Sequence, residues 1–195
     1  DWPNASEAIA DPEQRVFDES QPEKTLWKLA EATSAPVTEP IGGEGFLFEP
    51  EDTFFVRAKF SWDGKVGSVQ MLVNLQYAET EQAVQLYISK DSVLWFSSRK
   101  ACNQFNGTPV RLEKPGIYEV VGVRSGYGAG YMIVQNGRLI AQSAVREGSL
   151  PLMKPLRICA AHGLTAGTRL LSAEVGRGCP GELRHVKNTR EEIWK

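Results

Sequence analysis

The sequence predicts an all-β protein, an antiparallel β-sandwich with an N-terminal arm and a short C-terminal helix. Tyr131-Met-Ile-Val-Gln-Asn136-Gly137-Arg-Leu-Ile-Ala-Gln142 sets two apolar runs on either side of an Asn-Gly pair. Both turn residues tolerate positive φ, which a tight two-residue hairpin requires. From Gly45 to Val175 the chain repeats that plan of short strand, turn, short strand, as a sandwich does. The length of 195 residues fits one domain, and 42% hydrophobic with 24% charged residues is ordinary for a globular chain.

Residues 1–43 stand apart as an arm. They hold Pro3, Pro12, Pro22, Pro36 and Pro40, which disfavour regular sheet. One short helix is expected there, capped by Ser20, with Pro22 in its first turn and Leu26, Trp27, Leu29 and Ala30 forming an apolar side. Residues 44–195 form the sandwich domain. Phe54–Phe60 alternates apolar and basic residues at its end, and Trp62-Asp63-Gly64 turns the chain. Val69–Gln76 follows, with Met71, Val73 and Leu75 on one face and Leu72, Asn74 and Gln76 on the other. Further strands are expected at Ala83–Ser89, Ser92–Ser98, Val110–Leu112, Ile117–Val123, the Asn-Gly hairpin, Leu156–Ala160 and Thr168–Val175. A closing helix at Asn188–Trp194 has Asn188 or Thr189 as cap and Glu191 and Glu192 in its first turn.

The totals exclude several function classes. A net charge of −2 gives no bulk attraction to nucleic acid or anionic membrane. No apolar run is long enough for a membrane-spanning helix. The first residues, Asp1-Trp-Pro-Asn-Ala-Ser6, lack the order of a secretory leader, which a processed end would also explain. Asn4-Ala-Ser6 and Asn106-Gly-Thr108 match the N-glycosylation pattern and favour a secreted or cell-surface setting, with an organellar complex as the other option. Cys102, Cys159 and Cys179 lack zinc spacing. One disulfide plus a thiol, or three thiols, both fit. No metal, cofactor or catalytic residue is expected.

Catalytic patterns are missing. Glu79 and Glu81 read as a solvated acidic turn rather than a glycosidase pair. His162 reads as a loop histidine, and no nucleophile elbow occurs. Gly122-Val-Arg-Ser-Gly-Tyr-Gly-Ala-Gly130 lies between two strands, so it is a hairpin tip and not a phosphate loop. Tyr127 within it is a candidate contact residue. The other candidates lie on the polar side of the middle strands. Asn74, Gln76, Gln85 and Tyr87 share a sheet face if those strands pair, and Arg99 reaches its edge. Amides, a ring and a guanidinium suit hydroxyl-rich or carboxylate ligands, and a plain wetted sheet face has the same composition.

Thr53-Phe-Phe-Val-Arg-Ala-Lys-Phe60, Gly116-Ile-Tyr-Glu-Val-Val-Gly-Val123 with the Asn-Gly hairpin, and Glu182–Ile193 together give a resemblance. In order and character they resemble the concanavalin-like (laminin G-like) jelly roll, nearest to the lectin-like modules of sialidases and trans-sialidases. The resemblance implies a non-catalytic module that recognises glycan. The region around Arg184 departs from the family's closing strand, and no family binding residue is carried over. The residues themselves imply a recognition surface for glycan or a protein partner. The alternative is an accessory subunit of a larger assembly, docking through Trp2, Trp27 and the helix bearing Trp194.

Overall fold

The computed structural model describes residues 22–41, 53–76, 82–100, 103–106, 110–124, 128–146 and 157–183. Its strands are β1 (Lys24–Lys28), β2 (Val37–Pro40), β3 (Phe54–Trp62), β4 (Gln70–Gln76), β5 (Gln82–Ile88), β6 (Val93–Lys100) and β7 (Asn103–Asn106). They continue with β8 (Val110–Arg111), β9 (Gly116–Arg124), β10 (Gly128–Gln135), β11 (Arg138–Arg146), β12 (Arg157–His162) and β13 (Arg169–Arg177). One sheet, here called the six-stranded sheet, has the order β1-β13-β3-β9-β10-β11. The seven-stranded sheet runs β2-β12-β4-β5-β6-β7, with β8 also on β6. Every strand pairing among the described residues is antiparallel.

Alternation builds the core. Phe54, Val56, Ala58, Phe60 and Trp62 of β3 point inward with Tyr118 and Val120 of β9. They meet Leu72, Val73 and Leu75 of β4, Val84, Leu86 and Ile88 of β5, and Leu94 and Phe96 of β6. Burying each such side chain stabilises by about 1.5–3 kcal/mol before entropy is counted. Tyr118 stacks on Phe60 with ring centroids 5.5 Å apart and meets Trp62 edge-on at 6.5 Å. Its hydroxyl donates to the Lys114 carbonyl at 2.6 Å, so the one polar atom of the buried ring is satisfied. Burial raises its pKa. The predicted hairpin forms: Asn136 and Gly137 have φ of 47° and 80°.

Three expectations are corrected. The helix expected around Leu26 and Leu29 is strand β1, paired with β13 at Lys24–Arg177 and Trp27–Val175. With prolines at 22 and 36, the stretch is short, and the open edge of β13 offers ladder hydrogen bonds that outweigh helix propensity. Trp27 is buried in the core and donates its indole N–H to Glu39 on β2, joining the two sheets along one side. It is therefore part of the sandwich and not a dock for neighbours. In β4, the register shifts between Met71 and Val73, so Leu72 joins Val73 and Leu75 in the core while Met71 pairs with Tyr87. A bulge breaks strict alternation in this way. The expected helix at Asn188–Trp194, and Trp2, lie outside the described residues.

Candidate functional site

The outer face of the seven-stranded sheet is built by register. His162 on β12 stands opposite Met71 on β4, Met71 opposite Tyr87 on β5, and Tyr87 opposite Trp95 on β6. One step along lies a second row: Thr38, Cys159, Asn74, Gln85, Ser97 and Asn106, on six successive strands. Strands about 4.8 Å apart make this row about 24 Å long. The first row is aromatic and sulfur-bearing; in the second, Thr38, Asn74 and Gln85 bring a hydroxyl and two amides beside Cys159.

Asn74 sits at the centre, between Cys159 and Gln85. Its strand neighbours Val73 and Leu75 belong to the core, so Asn74 belongs to the opposite face. It is not wetted, as the sequence reading expects of this face; it is only 2% exposed, and its Oδ1 has no hydrogen-bond partner. An unmet buried acceptor costs about 1–3 kcal/mol. Gln85, Tyr87, Trp95, Met71 and Cys159 are half-buried around it, and His162 is exposed.

The other candidates divide. Gln76 stands opposite Arg157 and Gln82, one step beyond the amide row, with a register shift between Leu75 and Gln76. Arg99 lies two positions beyond Ser97 on β6, opposite Gln104. Tyr127, Glu79 and Glu81 lie outside the described residues. Trp95 and Met71 are the residues that sequence reasoning missed for this face. Trp95 was findable, because Leu94 and Phe96 claim the inner face of that strand and leave Trp95 outward. Met71 was hidden by the bulge.

At the His162 end, two loops are tied together. Asp63 Oδ1 accepts from the Lys65 N–H at 3.0 Å, Thr165 Oγ1 at 2.9 Å and Thr168 Oγ1 at 3.2 Å, and Oδ2 accepts from the Gly167 N–H at 3.2 Å. Burial works against the carboxylate charge, but these hydrogen bonds outweigh it and hold Asp63 below the usual carboxylate range. Gln70 Oε1 accepts from the Thr165 N–H at 3.0 Å. The cluster fixes the turn that carries His162 and Gly163. Among the described residues, no group of three or more His, Cys, Asp or Glu side chains is placed to hold a metal ion.

No protein-family model matches the sequence, and no curated protein matches it. Solved structures do. The binding domain of botulinum neurotoxin serotype D aligns with a TM-score of 0.52 at 8% identity, over 79% of this chain and 40% of that one. The fold is a concanavalin-like jelly roll. The Caenorhabditis elegans galectin LEC-6 aligns with a TM-score of 0.43 at 15% identity, over 78% of this chain and 94% of that one. An alginate lyase from Klebsiella pneumoniae aligns at 0.41 and 12%, over 63% and 57%. The neurotoxin binding domain shares the architecture, and a shared architecture does not by itself fix what a site does.

Proposed function

We propose that this jelly roll is a non-catalytic recognition module that binds glycan on the outer face of its seven-stranded sheet. The observation that carries the reading is the buried, unpartnered Oδ1 of Asn74, set between Gln85 and Cys159 and beside the Met71–Tyr87–Trp95 row. Once the half-buried Gln85 and Tyr87 side chains swing aside, a sugar hydroxyl supplies the missing donor, and the apolar face of a pyranose ring packs on an aromatic side chain. The two rows present amides, hydroxyls and aromatic rings at their described positions, groups that suit binding.

A glycan array with the intact protein tests this, and selective binding is expected. Trp95→Ala is expected to weaken the selected glycan about 30-fold or more, as loss of an aromatic anchor does, while Tyr87→Ala and Arg99→Ala test the flanks. A flat array, or full binding by Trp95→Ala, sinks the reading. Asn74→Leu separates site from scaffold. Replacing an unmet amide by an apolar group of similar size leaves the melting temperature unchanged or raises it, yet glycan binding is lost. A variant that melts early and still binds gives Asn74 a purely structural role.

A further inference from the structure

The six-stranded sheet carries a separate device on its own outer face. After β13 the chain turns at Gly178, whose φ is 96°, and runs back over the sheet to a short 3-10 turn at Gly181–Leu183. Cys179 and Leu183, both 0% exposed, pack with Val121 and Val123 of β9 and Met132 of β10 in a second apolar cluster distinct from the core. Polar fasteners hold this segment down. Arg57 on β3 donates to Glu182 through Nε at 3.0 Å and Nη2 at 2.9 Å, to Glu23 at 2.8 Å and to Glu174 at 3.5 Å. Glu23 also accepts from the Gly181 N–H at 2.8 Å, and the Gly178 N–H donates to the Thr53 carbonyl at 2.7 Å.

We propose that residues 178–183 form an openable strap, clamped over the Val121–Val123–Met132 strip by Arg57, that lifts as a unit while the sandwich stays folded. The ladder beneath is complete without the strap: β9 pairs with β3 on one side and β10 on the other. Among the described residues, lifting therefore leaves every strand pairing intact, the condition for a local opening below the global transition. The fasteners are partly exposed, with side-chain exposures of 22% for Arg57 and 38% for Glu182, so salt weakens them. The strap also sets how much apolar surface is open. The covered strip runs by register into Val134 and Leu139, and Leu139 is 48% exposed. This device lies on the opposite sheet from the proposed glycan face and stands independently of it.

The buried Cys179 thiol reports the motion. The intact protein is treated with a maleimide at neutral pH, and modification at Cys179 is read by peptide mass spectrometry. Labelling is expected to rise about two- to five-fold in Glu182→Gln, to rise with salt in the parent but not in that variant, and to depend only weakly on urea. Labelling whose urea dependence matches global unfolding overturns the proposal. So does a Glu182→Gln rate equal to the parent's.

Discussion

Gly122→Ala lowers the melting temperature by about 5–10 °C. Gly122 lies on the inner face of β9, where a Cβ would stand 2.5 Å from Cε2 and 2.7 Å from Cζ of Phe96 on the opposite sheet. Phe96 is 4% exposed and belongs to the core, so its ring has no solvent to retreat into. Overpacking of this kind costs about 2–3 kcal/mol, and each kcal/mol moves the midpoint of a chain this size by about 2–4 °C. The glycine is needed for space between the sheets and not for its backbone angles. Adding Phe96→Leu to Gly122→Ala makes room for the new methyl group, so the double variant is more stable than the sum of the single losses predicts. Calorimetry on the four proteins of the cycle measures that coupling. Additive losses, or an unchanged midpoint for Gly122→Ala, would show that the two sheets do not meet at this pair.

Asp63→Ala has the second large effect, and it depends on pH. The substitution leaves two backbone N–H groups and two threonine hydroxyls without their shared acceptor. Thr165 and Thr168 regain part of the loss by bonding each other and Gln70. A net destabilisation of about 2–4 kcal/mol is expected at neutral pH. Because the folded-state pKa lies below the ordinary value of 3.8, the carboxylate's contribution is present above that value. It fades as pH falls through the lower folded-state pKa. Urea melts of parent and variant are thus well separated at pH 7 and draw together only once pH falls below 3.8. A gap that stays constant with pH would mean that the ionised form is not what the loops hold.

Much of this architecture was legible in the chain. Alternation in Phe54–Phe60, the apolar run at Ile117–Val123 and the Asn136-Gly137 turn are local signals, and the structure forms a strand, a strand and a hairpin there, with the first strand running on through Trp62. The helix expected within the arm is a strand because Leu26, Trp27 and Leu29 satisfy a helical stripe and a strand equally; the neighbouring edge of β13, nearly 150 positions away in sequence, decides. The site was legible in part. Register brings Asn74 and Gln85 opposite each other and sets Tyr87 nearby, but Met71 was assigned to the wrong side because one extra residue in β4 reverses facing beyond it. That Asn74 is buried, with an oxygen lacking a donor, depends on the strands at either side and has no signature of its own in the chain.

Fold class, the position of most strands and the tight hairpin are written locally in the chain, because periodicity and turn chemistry act over a few residues. Which strands are neighbours, where Trp27 and Phe96 seat, and which residues assemble into the amide and aromatic rows are settled by the assembled sheets. Those outcomes rest on pairing between distant segments, where hydrogen-bond register and packing between sheets choose among arrangements that local preference leaves equal.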